Sequence, residues 1–139
     1  MQHALLLAQK AEQIDEVPVG AVVVHQGKII GEGYNQSILL NDPSAHAEMI
    51  AIRQAGQKLN NYRLLDCTLY VTLEPCQMCA GASYWAQIGK IVFGASELER
   101  GFLKLKTTIH PKTKVVSGIL ENECSTILKR FFIEKRNLN

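Results

Sequence analysis

Two short segments constrain this chain more than any other feature: His46-Ala47-Glu48 and, thirty positions on, Pro75-Cys76-Gln77-Met78-Cys79. A Cys-x-x-Cys at the start of a helix sets two sulfurs three residues apart on one side of a turn. The unpaired N–H groups and positive dipole end of that helix favour thiolates. Pro75 suits the first helical position and so predicts a helix over Cys76–Gln87. The breaker-poor stretch Ala45–Lys58 predicts a second helix, with His46 at its start. Any fold of this chain must therefore bring two helix N-termini together across the strand predicted at Thr68–Leu73.

Three ligands of the His/Cys/Cys kind, His46, Cys76 and Cys79, suit zinc and leave one tetrahedral position for water. That is the pattern of a catalytic rather than a structural site. An ion of charge +2 with two thiolates and a hydroxide carries one net negative charge, which two helix N-termini stabilise. A fourth protein ligand would close the site. Cys67 is separated from that end by six strand residues, about 20 Å at ~3.3 Å per residue, too far for zinc. Cys67 and Cys124 are expected to be small buried hydrophobes. Glu48 shares the site only if His46 stands at the very end of its helix, because residues two apart in mid-helix face apart. The alternative for Glu48 is an ordinary first-turn acid; for His3, His25 and His110 it is a structural or exposed side chain, although His110 could contact phosphate.

The rest of the chain supplies elements to carry this pair. A helix is expected over about residues 1–14, then strands at Val17–His25 and Lys28–Gly33 around the turn Gln26-Gly27. Tyr34–Ser44 reads as a loop, Lys90–Phe93 as a strand closed by Gly94, and Lys114–Ser117 as a last strand before a helix over about 121–136. The least defined stretch is 95–113, where Glu97–Lys106 reads as a short helix and His110-Pro111 as a turn. The order α-β-β-α-β-α-β-β-α predicts a mixed five-stranded sheet with helices on its faces. With 47% hydrophobic and 20% charged residues in 139, the chain is neither disordered nor a coiled coil, and it has length for one core. Its longest apolar runs fall far short of a membrane span, and no signal peptide is expected at its start, so a cytoplasmic protein is predicted.

The net charge of +2 hides a division. Residues 1–89 hold five Lys/Arg against eight Asp/Glu, a balance of −3; residues 90–139 hold ten against five, a balance of +5. A basic C-terminal third permits a polyanionic partner, and equally permits a solvated helix face. Lys104, Lys106, Lys112, Lys129, Arg130, Lys135 and Arg136 are the seven of these ten that are candidates for one patch.

His-Ala-Glu before a strand and Pro-Cys-x-x-Cys after it form the zinc deaminase signature, of which the tRNA adenosine deaminases are a known example. The chain resembles the bacterial tRNA-specific adenosine deaminases from about His3 to Phe132. The resemblance runs through Glu16-Val17-Pro18-Val19-Gly20-Ala21-Val22, Gly31-Glu32-Gly33-Tyr34-Asn35, Asp42-Pro43-Ser44-Ala45-His46-Ala47-Glu48, Asn61-Tyr62-Arg63-Leu64 and Leu69–Ala82. It implies a cytidine-deaminase-like three-layer α/β/α fold, residues 1–139 as a single zinc-dependent deaminase domain, one zinc per subunit, and a homodimer. It implies hydrolytic conversion of the wobble adenosine in the anticodon loop of an arginine tRNA to inosine. Carried over by position, His46, Cys76 and Cys79 hold zinc, Glu48 shuttles protons and Asn35 touches the flipped nucleotide. The chain departs from the family's usual pattern at Ser96–Lys106, which is shortened, and at Tyr84-Trp85-Ala86-Gln87, where a more polar segment is common.

Two other functions use the same residues. A deaminase of a free nucleobase or nucleoside, guanine or cytosine, needs no basic surface, and the +5 balance speaks mildly against it. A non-catalytic zinc or RNA-binding module has no use for a positioned acid such as Glu48.

Overall fold

The computed structural model describes residues 1–137. Its elements are α1 (Gln2–Gln13), β1 (Gly20–His25), β2 (Lys28–Tyr34), α2 (Ala47–Leu59), β3 (Cys67–Leu73), α3 (Gln77–Ala86), β4 (Lys90–Ala95), β5 (Lys114–Val116) and α4 (Glu121–Asn137). They build a five-stranded sheet in the order β2-β1-β3-β4-β5. β1 runs antiparallel to both β2 and β3, while β3, β4 and β5 are parallel. This is the mixed five-stranded sheet expected, with the elements in the expected order.

Strand alternation sorts the helices onto two faces. Gly20 lies against Ala4 and Ala8 of α1, and Gly94 against Cys124 of α4, so those helices share one face. Gly31 and Gly33 lie against Ala47 and Ala51 of α2 on the other. That second face carries Ala21, Val23, Leu69, Val71, Ile91 and Phe93, all buried, and it packs on the alanines of α2 and α3. Fully burying an aliphatic side chain of this size contributes about 1.5–3 kcal/mol, so this layer is a main source of stability.

The topology also gathers loops at one end. Because β1 is antiparallel to β3, the segment entering β1 lies beside the end of β3, and the end of β2 lies beside it in turn, with Gly20 paired to Tyr34. Parallel β4 ends at this edge as well, with Leu73 paired to Ala95. Residues 17–19, 35, 73–76 and 96–100 therefore meet there without any being close in sequence.

Besides shifts of one or two residues at other element ends, four departures from expectation have an identifiable physical cause. β1 starts at Gly20 rather than Val17: Pro18 has no N–H to give a ladder, and Val19 N–H closes a tight turn onto Val17 O (2.8 Å). β4 runs through Gly94 to Ala95 instead of stopping, because the glycine makes room for α4; a Cβ there would sit 2.4 Å from Cys124 Sγ. α3 begins at Gln77, with Cys76 extended (φ −73°, ψ 176°) as its N-cap, so Pro75 precedes the cap rather than opening the helix. Glu97–Lys106 is not a helix. It is a series of turns pinned by hydrogen bonds to Glu74 and Pro75, and a residue held from outside at several points does not complete its own helical ladder.

Candidate metal centre and its cavity

His46 is the N-cap of α2, with extended backbone (φ −77°, ψ 153°), and Cys76 is the N-cap of α3. Cys79 stands in the first turn of α3 and Glu48 in the first turn of α2. Both helix N-termini thus open on one point, and His46 and Glu48 share it because the cap residue lies outside the helical spiral. Cys76 Sγ and Cys79 Sγ are each 3.6 Å from His46 Nδ1, and all three atoms lie within 4.8 Å of one another. A tetrahedral zinc at about 2.3 Å from sulfur and 2.0–2.1 Å from nitrogen holds N and S about 3.6 Å apart. The three residues therefore fit zinc without rearrangement.

The electrostatics prepare the site for a cation. The thiol of Cys79 and the ring of His46 hydrogen-bond Cys76, which pulls its thiol down to about 4. Cys79 is pushed up, first by giving that hydrogen bond and then by burial. His46 is raised, chiefly by its contact with Cys76. One thiolate is thus already present, and metal binding displaces the proton of the other.

Glu48 is 4% exposed. Burial, with the nearby charge of Cys76 adding to it, raises its carboxyl to about 7, against pulls downward from a backbone N–H, His46 and Cys79. A carboxyl that binds its proton more tightly folded than unfolded favours the folded state only where it is protonated. Metal-free protein should therefore lose stability relative to Glu48→Gln as pH rises from the ordinary value of 4.5 through 7. The cumulative difference is about 3 kcal/mol at ~1.36 kcal/mol per unit. Urea unfolding of both proteins between pH 4.5 and 7.5 measures it, and parallel curves would contradict the burial account.

A cavity of about 200 Å³ opens beside the three-ligand cluster, lined by Val17, Val19, Asn35, Glu48, Leu73 and Arg100, among others. Drug-sized pockets start near 300 Å³, so this volume suits one flat ring system rather than a duplex. Asn35 Oδ1 accepts the free N–H of Ala47 (2.8 Å) and so caps α2 where His46 makes no side-chain cap of its own. That bond fixes the amide orientation and leaves the NH2 of Asn35 as the donor on the cavity side.

The remaining sequence candidates lie elsewhere. Cys67, at the start of β3, is buried with its Sγ 3.6 Å from His25 Nδ1, and Cys124 is buried beneath β4. All four cysteines are free thiols. His3 pairs with Glu32, and the His110 ring lies 5.9 Å from that of Tyr84. Two of the C-terminal cations are engaged within the fold: Arg130 of α4 binds Glu12 of α1 (2.8 Å), and Lys135 of α4 binds Asp15 in the turn that follows α1.

Two buried acids have roles that no sequence pattern assigned. Glu16, 2% exposed, accepts the N–H groups of Ile38 (3.1 Å) and Leu39 (2.8 Å) and so pins the loop after β2. Glu74, 5% exposed, accepts those of Glu97 (3.1 Å) and Leu103 (3.0 Å). The available signal was an acid flanked by apolar residues and proline, in Glu16-Val17-Pro18 and Leu73-Glu74-Pro75.

Residues 1–95 match the cytidine and deoxycytidylate deaminase zinc-binding region. The chain is 49% identical to the tRNA-specific adenosine deaminase of Haemophilus influenzae, over 98% of this chain and 83% of that one. A solved structure from studies of A-to-I editing by tRNA:A34 deaminases at the wobble position of transfer RNA superposes with a TM-score of 0.87. The two are 40% identical, over 92% of this chain and 97% of that one. Guanine deaminase from Bacillus subtilis is also similar, 44% identical over 68% of this chain and 61% of that one, with a TM-score of 0.65.

Proposed function

Since the chain belongs to the cytidine and deoxycytidylate deaminase family and, within it, to the tRNA-specific adenosine deaminases, we propose that it converts the wobble adenosine of an arginine tRNA anticodon to inosine. One observation carries the chemical part of this reading. A buried carboxyl, Glu48, stands beside a three-ligand cluster in a cavity sized for a single base.

His46, Cys76 and Cys79 would hold one zinc per subunit, and bound zinc supplies the Lewis acidity that makes water a nucleophile near neutral pH. The chain's own residues do the rest. Glu48 takes a proton from the attacking water and delivers it to the ring nitrogen beside C6 of adenine. A further transfer through the same carboxyl protonates the amino group, which departs as ammonia and leaves inosine. Its elevated proton affinity suits both accepting and returning that proton. Asn35 donates its NH2 to the nucleotide while its oxygen stays on α2. Val17, Val19 and Leu73 give the base apolar walls. The target base must leave its stack to enter, which is least costly in an unpaired loop such as an anticodon loop.

The chain acts as a homodimer in this reading. Trp85 and Leu98, 73% and 79% exposed on segments flanking the site, are side chains that such a pairing would cover. Four free thiols suit the reducing cytoplasm, and among the described residues no helix is long and apolar enough to cross a membrane.

The test is direct. The purified protein is incubated with an anticodon stem-loop carrying an unpaired wobble adenosine, and separately with free adenosine, cytosine and guanine. Nucleoside chromatography should find inosine from the RNA only. Uracil or xanthine from a free base would move the protein to nucleobase metabolism.

A further inference from the structure

The segment after β4 is strapped onto the site at both ends. Glu74 receives Glu97 N–H on Oε1 and Leu103 N–H on Oε2. Phe102 N–H donates to Pro75 O (2.9 Å), and Gly101 bridges to Cys76. The fit is close: a Cβ on Gly101 would lie 2.2 Å from Glu74 Oε2, so only glycine passes there. Phe102 anchors the strap from below, 2% exposed and edge-on to Phe93 with ring centroids 6.2 Å apart. Between the clamped ends, Glu97 Oε1 accepts the N–H groups of Glu99 (3.1 Å) and Arg100 (3.3 Å) and shapes the turn.

The product of this construction is the placement of Arg100. It lines the same cavity as Glu48 and Asn35. Its side chain is exposed, and among the described residues it forms no ion pair, although Glu48, Glu74 and Glu97 line that cavity too. A strongly held turn thus presents an exposed arginine without an ion-pair partner among the described residues at a cavity that three glutamates also line. Phosphates on either side of an extruded nucleotide would be repelled by those carboxylates, and a guanidinium fork is the group that holds a phosphate in a fixed orientation.

We propose that Arg100 binds a phosphate adjoining the extruded nucleotide, and that Glu74 is the positioning residue that holds it at the cavity rim through the 97–103 strap. This rests on the RNA deaminase reading above and adds a subsite to it. Phosphate contacts set the register of a nucleic acid while the base contacts select it. Arg100 then fixes which base enters the cavity, and Glu48 acts on it.

Steady-state deamination of the anticodon stem-loop over a range of salt concentrations tests both halves. Arg100→Ala should raise KM about tenfold, with most of the loss in kcat/KM appearing there. It should also flatten the plot of log KM against log salt by about 0.7, the contribution of one single-strand phosphate contact. Arg100→Lys should keep the slope and recover part of KM. Glu74→Gln should raise KM similarly at wild-type zinc content, and the double variant should be no worse than the poorer single one. Where Glu74→Gln does not fold, Glu74→Asp keeps the charge with a shorter reach and takes its place. Wild-type KM and slope in Arg100→Ala would overturn the phosphate contact, and full additivity in the double variant would overturn the positioning role. Wild-type protein inert on the stem-loop would overturn the deaminase reading itself, a result separable from either.

Discussion

Glu48→Ala is expected to retain the wild-type zinc content and to lower kcat by about 10²- to 10⁴-fold, the range for loss of a general acid–base group. The two halves of this result have different causes. Zinc content stays because the fitted donor atoms belong to His46, Cys76 and Cys79, whose 3.6 Å separations do not involve Glu48. Turnover falls because Glu48 is the carboxyl in the first turn of α2 that stands beside the three-ligand cluster to collect and return the proton. Glu48 is 4% exposed and titrates at about 7, near the pH at which a shuttle works best. Glu74, the other buried acid of the cavity, has its oxygens engaged with two backbone N–H groups of the strap. Metal analysis alongside single-turnover inosine formation checks both halves. Near-normal turnover would remove Glu48 from the chemistry, whereas lost zinc would make it part of the metal's support.

Cys76→Ala is expected to abolish zinc retention and with it all measurable turnover. The substitution removes one of three protein ligands and also the group that carries the pre-formed thiolate, pulled down to about 4. Disturbing only an outer partner of a metal ligand typically lowers affinity about 10–100-fold, so losing a ligand exceeds that. A ligand that binds only the folded chain also stabilises it, and the melting temperature should therefore no longer respond to a chelator. Cys67→Ala is the matched control. Its thiol is buried at the opposite end of β3 beside His25, so this variant should lose some packing stability while keeping zinc and the chelator response. Zinc loss in both variants would mean that general destabilisation, rather than ligation, empties the site.

The cluster of His46, Cys76 and Cys79 beside Glu48 was legible because its members come in two pairs, each close in sequence. Cys76 and Cys79 share one turn, and His46 and Glu48 share another, so spacing alone places each pair. The strands were readable from β-branched runs, and all nine elements occur in the expected order. Sequence and structure part where distant groups determine local conformation. Glu97–Lys106 has helix-compatible composition, yet Pro75 and Glu74 take the N–H groups of Phe102 and Leu103 that a helix would need. Gly94 has the composition of a strand end, but the packing of α4 requires a glycine within the strand. Arg130 and Lys135 belong to a basic tail in sequence and are tied to Glu12 and Asp15 in space.

Ligand chemistry, element order and sheet class thus follow from the chain alone, since they depend on residue type, spacing and periodicity within windows of one or two turns. The tertiary fold settled the rest. It brought the two helix N-termini to a common point, made Asn35 the cap of α2, and held Arg100 over the cavity through a buried glutamate 26 positions away in sequence. Those features depend on hydrogen bonds and close packing between segments that meet only because β1 runs antiparallel and β4 parallel to β3. No local pattern encodes such a meeting, because the partner of each group is set by the sheet order.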